Sequence, residues 1–156
     1  MWHDDCITDS GLQMIEMRKI DNMYDIDSKV VNLTELNFNK EVLGHKGLYL
    51  VEFGVDWCGT CHIVAPILEE LSQKYATLVM VGWVDSEYNK NLSEMYGIIN
   101  HPTILFFHRG EIIDHLIGSF AYEEITQRIE NVLSNKANLK SETKSKTIRR
   151  NNNDSD

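Results

Sequence analysis

The chain has 156 residues, which is enough for one domain of ordinary size with additional terminal segments. Hydrophobic residues make up 42% of the chain, so it can bury a substantial core, and the net charge of -9 argues against nucleic acid as a general partner. No apolar stretch approaches the roughly 20 residues of a membrane-spanning helix, so no membrane span is expected.

The first 27 residues are predicted to form an N-terminal extension. They carry seven acidic side chains against Arg18 and Lys19, and the start, MWHDDCITDS, lacks the positive charge and apolar run of a signal peptide. We therefore expect a cytoplasmic protein. Apolar residues within 12–24 could line one face of a short helix, which leaves a loosely attached extension and a partner-binding helix both open.

Residues 28–134 alternate between predicted strands and helices. KVVNL (29–33) is predicted to be a short strand, and Thr34 is predicted to cap a helix that runs to Gly44. The residues expected to be buried in that helix are Leu36, Phe38, Val42 and Leu43. LYLVEF (48–53) is a predicted buried strand, and a helix is expected over 59–75.

The second half of this region continues the alternation. A strand is predicted over 77–84, then a short helix over 89–97 that ends at Gly97. Two strands, 103–108 and 111–118, flank Arg109-Gly110 and are predicted to form a hairpin. A last helix over 121–134 is expected to bury Ile125, Ile129, Val132 and Leu133.

The resulting order, βαβαβαββα, predicts an α/β fold with a central mixed β-sheet flanked by helices. The polar segment 135–156, which contains six basic residues, is predicted to be a disordered tail.

Two of the three cysteines, Cys58 and Cys61, lie two residues apart in VEFGVDWCGTCHIVAPIL (51–68). Cys58 falls between a predicted strand and the start of a helix, where backbone N–H groups and the helix dipole favour a thiolate. Cys61 lies one turn further along the same helical face. The spacing predicts that Cys58 attacks a substrate disulfide and that Cys61 resolves the mixed disulfide.

Other uses of the cysteines stay open at this point. A zinc site would need four ligands, so Cys6, or His62 and His101 together, would have to complete the set. An iron–sulfur cluster shared between two copies and an inert core pair are further alternatives. Cys6 is either a free thiol on the extension or a partner in a regulatory disulfide.

Motifs along the chain resemble the thioredoxin family. WCGTC (57–61) resembles the active site Trp-Cys-Gly-Pro-Cys, with threonine in place of proline, and VAPIL (64–68) resembles the helix that follows it, with its proline at Pro66. HPT (101–103) resembles the cis-proline loop, RGE (109–111) resembles the hairpin turn, and KVVNLTELNF (29–38) resembles the first strand and helix. The resemblance covers residues 28–134.

The resemblance implies a thioredoxin fold with no bound cofactor and no metal. It implies catalytic roles for Cys58 and Cys61, with Glu52 buried below Cys61 as a proton relay whose pKa burial should raise. The residues that it implies to shape the active site or bind substrate are Trp57, Gly59, Thr60, His101, Pro102 and Gly118. Pro66 is expected to kink the helix.

Four departures from the family pattern are visible. Thr60 replaces a proline, which should make the pair more oxidising, and His101 replaces an apolar residue and, if protonated, would stabilise the Cys58 thiolate. His62 is a second histidine that could act on Cys58. Gly54 stands where the family commonly has a second tryptophan, so the loop is expected to be more mobile, and the lysine often near the buried acid is missing from VMVGWV (79–84).

The sequence thus predicts a protein-disulfide reductase with disulfide-containing protein substrates and a thioredoxin-reductase-type electron donor. The alternatives are a disulfide oxidase or isomerase in an oxidising compartment and a redox-independent binding module.

Overall fold

The structure is a computed structural model that describes residues 28–118 and 122–135. The extension over 1–27, with Cys6, and the polar tail from residue 136 therefore lie outside the described residues. The chain divides into two compact units between residues 120 and 121, and only a helix over 122–135, here α4, is described in the second. None of the described helices is long and apolar enough to cross a bilayer.

The first unit contains five strands and three helices in the predicted order. The strands are β1 (Val31–Leu33), β2 (Leu48–Gly54), β3 (Val79–Asp85), β4 (Thr103–His108) and β5 (Glu111–Ile117). The helices are α1 (Asn39–Leu43), α2 (Gly59–Lys74) and α3 (Lys90–Met95). With α4, the order is βαβαβαββα, which confirms the prediction.

The strands form one mixed sheet in the order β1-β3-β2-β4-β5. The β1–β3 and β2–β3 pairs are parallel, whereas the β2–β4 and β4–β5 pairs are antiparallel. Strand β2 lies in the middle, and all seven of its residues are buried, as the apolar run LYLVEF predicts. The carboxyl ends of β2 and β3 therefore meet at one edge of the sheet.

The two faces of the sheet have different neighbours. One face carries the main apolar cluster, in which Phe53 of β2 and Phe107 of β4 pack with Phe38, Val42 and Leu92 from the α1 and α3 region. The other face carries alternate residues of the same strands, and helix α2 packs there against β3. Glu52 lies on this second face.

The β4–β5 hairpin turns at Arg109 and Gly110, which have φ angles of 54° and 79°. Two consecutive positive φ values are typical of the type I′ turn that joins two antiparallel strands closely. The predicted hairpin is confirmed. A bulge between Phe106 and Phe107 shifts the register of its strands.

The first predicted helix is wrong in its extent and in part of its buried set. Thr34 does accept hydrogen bonds from Asn37 and Phe38 through its backbone oxygen, at 3.2 and 3.0 Å, but these close a turn that precedes the helix. The helix itself is π-wound, with Gly44 donating to Asn39 at 2.9 Å. The spacing of an α-helix therefore does not apply.

Two of the four residues predicted to be buried are exposed, and one of them, Leu36, lies in the turn that precedes the helix. Phe38 and Val42 are buried as expected, whereas Leu36 is 96% exposed and Leu43 is 38% exposed. In the last helix, Ile125 and Ile129 are buried, and Val132 and Leu133 are only half-buried.

Candidate active site

Helix α2 begins directly after the short loop that follows β2, and Cys58 is its N-cap residue. The backbone N–H of Cys61 donates to Sγ of Cys58 at 3.3 Å, so the sulfur satisfies one of the free donors at the helix start. The backbone N–H of Cys58 itself is held by the carbonyl of Val55 at 3.2 Å. The predicted position of the first cysteine is thus observed.

Threonine 60 contributes directly to the environment of Cys58. Its hydroxyl lies 3.1 Å from Sγ of Cys58. Burial raises the pKa of Cys58, but hydrogen bonds from the side chains of Cys61 and Thr60 and from the backbone of both residues lower it, and the net result lies below the ordinary thiol value. A proline at position 60 would have neither the hydroxyl nor the backbone N–H.

The second cysteine lies in the opposite environment. Cys61 is fully buried on the inner side of α2. Burial raises its pKa to about 12, and the hydrogen bond with Cys58 and the charges of Cys58 and Glu52 act in the same direction, against a hydrogen bond from the backbone of Val55. The pair therefore combines a partly exposed thiolate-favouring sulfur with a buried thiol.

Glu52 is buried in the middle of β2, with no exposed surface. It is paired across the sheet with Trp83 of β3 and Ile104 of β4, so it lies on the face that α2 covers. Its charge acts on Cys61, which confirms the predicted burial of the acid near the second cysteine. The role of this acid as a proton relay for that thiol stays a prediction.

The loop before β4 approaches the first cysteine. The His101–Pro102 peptide bond is cis, and the backbone oxygen of His101 lies 3.7 Å from Sγ of Cys58. The backbone N–H of Gly118 donates to the oxygen of Pro102 at 3.0 Å and ties the end of β5 to this loop. Gly118 has a φ of +96°, and within residues 28–118 and 122–135 no atom outside its chain neighbours lies within 4 Å of the place where a side chain would begin.

The expected stabilisation of the Cys58 thiolate by a protonated His101 is not favoured in the structure. Burial lowers the pKa of His101, against an opposite effect of Asp85, so the neutral imidazole is favoured at pH 7. Nε2 of His62 donates to the backbone oxygen of Asp56 at 2.6 Å. The thiolate is stabilised by hydrogen bonds from Thr60 and Cys61 instead.

The remaining predicted residues lie around the sulfur of Cys58. Trp57 is 73% exposed beside it, and Gly59 is the first residue of α2. Pro66 lies inside α2, as predicted from VAPIL, and Ile63 is exposed on the same helix. Among residues 28–118 and 122–135, no three His, Cys, Asp or Glu side chains cluster in a way that could hold a metal ion.

Reasoning from the sequence alone does not identify Trp83 as a residue that lines the site. Its indole nitrogen lies 3.0 Å from the position of a side chain at Gly54, so the volume that a tryptophan at position 54 would claim is partly filled from β3. The prediction of a more mobile loop ignored this neighbour. The register that brings position 83 beside position 52 could not be read from VMVGWV alone.

Comparison with known proteins gives one consistent family. The sequence profile of the Thioredoxin family matches residues 29–131. A thioredoxin from Buchnera aphidicola of Schizaphis graminum is 42% identical over 94 residues, which are 60% of this chain and 87% of that protein. A thioredoxin from Buchnera aphidicola of Acyrthosiphon pisum is 37% identical over 103 residues, 66% of this chain and 95% of that protein.

A third relative is more distant in sequence and equally complete in coverage. Thioredoxin 1 of a Nostoc species is 32% identical over 103 residues, which are 66% of this chain and 96% of that protein. The five-stranded mixed sheet, the Cys-x-x-Cys pair at the start of α2 and the cis-proline loop agree with this match. The chain therefore belongs to the thioredoxin family of thiol–disulfide oxidoreductases and has the thioredoxin fold.

Proposed function

We propose that the protein is a protein-disulfide reductase that cycles between a Cys58/Cys61 dithiol and a Cys58–Cys61 disulfide. The observation that carries the proposal is the asymmetry of the pair. The pKa of Cys58 is lowered at the rim of the site, whereas the pKa of Cys61 is raised to about 12 in its interior. A first thiol that ionises more readily than an ordinary cysteine and a second thiol that stays protonated suit a two-step exchange.

In the first step, the Cys58 thiolate attacks one sulfur of a client disulfide. The client S–S bond breaks, a mixed disulfide with Cys58 forms, and the other client sulfur leaves as a thiolate. In the second step, Cys61 gives its proton to Glu52 and attacks Sγ of Cys58, which releases the remaining client thiolate. Two electrons pass to the client, and the protein is left with the Cys58–Cys61 disulfide.

The cycle needs partners of two kinds. Disulfide-containing proteins are the clients, and an extended client segment would lie along the backbone of His101 and Gly118, beside the exposed ring of Trp57. A thioredoxin-reductase-type electron donor would return two electrons to the oxidised pair. We place this cycle in the cytoplasm, where thiols are kept reduced.

The test is reduction of a disulfide-containing protein under steady supply of an electron donor. Cys58→Ser is expected to abolish turnover, while Cys61→Ser is expected to trap a mixed disulfide that mass spectrometry detects. Cys6→Ser is the matched control, since the proposed cycle does not use this cysteine, and it is expected to keep full activity. Unchanged client reduction by Cys58→Ser would sink the proposal.

Thr60 gives specific support to a second candidate, a disulfide oxidase or isomerase. Its two hydrogen bonds to Cys58 stabilise the thiolate and hence the reduced protein, which makes the disulfide form a stronger oxidant. Equilibration with defined glutathione ratios separates the two candidates. A potential near the roughly -270 mV of thioredoxins favours the reductase, whereas one near the roughly -180 mV of protein disulfide isomerase favours the second candidate.

A redox-independent binding role is the third alternative, and the double variant Cys58→Ser, Cys61→Ser decides it. The proposed cycle requires that this variant folds and loses its function in the cell. A variant that still complements loss of the native protein would assign the function to binding alone.

A further inference from the structure

Gly54 ends strand β2 at a crowded point between two other elements. A Cβ atom at this position would lie 3.0 Å from Nε1 of Trp83 and 3.3 Å from Sγ of Cys61, with Cβ of Cys61 at 3.6 Å. The first two distances are shorter than ordinary van der Waals contacts. The indole from β3 and the thiol from α2 therefore converge on the volume that any larger residue at position 54 would occupy, and glycine is required for this approach.

Trp83 is also the strand neighbour of the buried acid. In the parallel β2–β3 pair it lies opposite Glu52, and both residues are on the face of the sheet that α2 covers. The indole is 1% exposed and is the largest fully buried side chain among the residues that the structure describes. The indole of Trp83 therefore lies next to Glu52 in the sheet, and its nitrogen reaches the space beside Cys61.

The pKa of Cys61 depends on how far water is excluded from this space. Among the described residues, the titratable groups that act on its thiol are Cys58 on its own helix and Glu52 on β2, and both raise its pKa. Burial is the larger cause. Trp83 has no titratable group, and it occupies volume that water would otherwise enter, which maintains the desolvation of the thiol.

We propose that Trp83 is a positioning residue for the second half of the redox cycle: its indole, fitted into the space that Gly54 leaves open, keeps water away from Cys61 and holds the thiol beside Glu52. In this arrangement the acid, rather than solvent, takes the proton when Cys61 attacks the mixed disulfide. The inference deepens the proposed function, because it rests on the role of Cys61 as the resolving thiol.

The test measures ionisation of Cys61 directly and without turnover. In the full-length Cys6→Ser, Cys58→Ser background, Cys61 is the last thiol, and its ¹³Cβ chemical shift in cysteine-labelled protein reports the thiolate at each pH. Trp83→Leu is expected to lower the midpoint by at least about one pH unit, which is a tenfold larger thiolate fraction at a given pH below the midpoint. An unchanged midpoint in the folded variant would overturn the proposal.

Trp83→Phe keeps an aromatic ring and is the variant to use if the leucine variant does not fold. The phenyl ring is shorter than the indole and leaves the space at Gly54 open, so a smaller downward shift of the midpoint is expected, and the lack of any shift overturns the proposal. Adding Gly54→Ala to Trp83→Phe fills the same space with a methyl group. This second change is expected to move the midpoint back towards that of the background protein, and failure to do so also contradicts the proposal.

Phe38→Leu is the matched control for general loosening of the fold. Phe38 is 1% exposed and lies in the apolar cluster on the other face of the sheet. Its truncation is expected to lower stability and to leave the Cys61 midpoint in place, and an equal shift in this control would overturn the proposal. The proposed reductase function is tested by a different measurement, the reduction of a client by Cys58→Ser, so its failure can be told apart from a failure of the role of Trp83.

Discussion

Thr60 controls the first cysteine through two hydrogen bonds. Its hydroxyl lies 3.1 Å from Sγ of Cys58, and hydrogen bonding from both its side chain and its backbone acts against the effect of burial on the pKa of that thiol. A proline at this position would contribute neither, since it has no hydroxyl and no N–H. At this scale, the choice of one residue changes the number of donors at a helix N-terminus.

A graded series at position 60 tests this account. Thr60→Val removes the hydroxyl and keeps the N–H, whereas Thr60→Pro removes both donors. We expect the pKa of Cys58 to rise in the order threonine, valine, proline, because each step removes a stabilising bond to the thiolate. The pH dependence of Cys58 alkylation in the Cys6→Ser, Cys61→Ala background gives the midpoint, and the rate at pH 7 falls about tenfold for each unit by which it rises.

One outcome of this series would contradict the proposed role of Thr60. Equal midpoints for the threonine and proline proteins would mean that the helix N-terminus alone sets the state of Cys58, and that the contacts of Thr60 have no influence on the thiolate.

Glu52 acts on the second step of the exchange. Glu52→Gln removes the carboxylate that accepts the Cys61 proton and keeps the size of the side chain. We expect the mixed disulfide with a client to persist at least tenfold longer, which is below the roughly 10²–10⁴ that proton transfer by a positioned group contributes. Stopped-flow mixing with a client, followed by acid quench and mass spectrometry, measures this lifetime.

The first step provides the control for Glu52→Gln. Formation of the mixed disulfide depends on Cys58, so its rate should match that of the unchanged protein. A slower first step with a normal second step would assign the acid to Cys58 instead.

At the scale of the elements, two glycines adopt a left-handed backbone conformation, one after a helix and one in the hairpin turn. Gly97 follows α3 with a φ of +63°, and nothing lies within 4 Å of a side chain there. Gly110 in the hairpin turn has a φ of +79°, and a Cβ would lie 2.7 Å from the backbone oxygen of Leu43. The same conformation therefore occurs once in open space and once against the end of α1.

This contrast predicts different costs for the same change. Gly97→Ala is expected to lower the free energy of unfolding by about 1–2 kcal/mol, the cost of a left-handed residue with a Cβ. Gly110→Ala is expected to cost about 1–3 kcal/mol more, because the methyl group also overpacks against the backbone of Leu43. Urea unfolding measures both.

Gly59→Ala serves as the control for the two glycine changes. Nothing lies within 4 Å of a side chain at Gly59, and its φ is not positive, so stability should not fall. Equal losses for Gly97→Ala and Gly110→Ala would contradict the close approach between the hairpin turn and α1.

Local signals explain which elements could be predicted from the sequence. The hairpin follows from Arg109-Gly110 between two apolar runs, and α3 ends at Gly97, because both depend on a few neighbouring residues. Helix α1 could not be predicted in detail, since π-type bonds are rare and the apolar spacing of its residues was interpreted with an α-helical period. The position of Trp83 at the site could not be predicted, because it depends on the register of two parallel strands, which no local pattern encodes.

At the scale of the whole molecule, the redox state of the pair changes how stability depends on pH. Both thiols have an ordinary value of 9.0, which we take for the unfolded chain. The lowered pKa of Cys58 means that the unfolded chain binds more protons than the folded protein just below pH 9. The contribution of Cys58 to the free energy of unfolding therefore rises with pH in this range. The pKa of about 12 for Cys61 means that the folded protein binds more protons from about pH 9 to 12, so stability falls over that window.

The disulfide form has neither thiol, and this difference gives a prediction for the entire protein. In the Cys6→Ser background, the urea midpoint of the reduced protein is expected to fall more steeply between pH 9 and 11 than that of the oxidised protein. The raised pKa of Tyr49 gives a loss of the same sign, but it acts in both redox states. Tyr49→Phe should therefore flatten both profiles and keep the gap between them. Parallel profiles for the reduced and oxidised proteins would mean that Cys61 ionises in the folded chain as easily as in the unfolded one, and that the interior of the site is open to water.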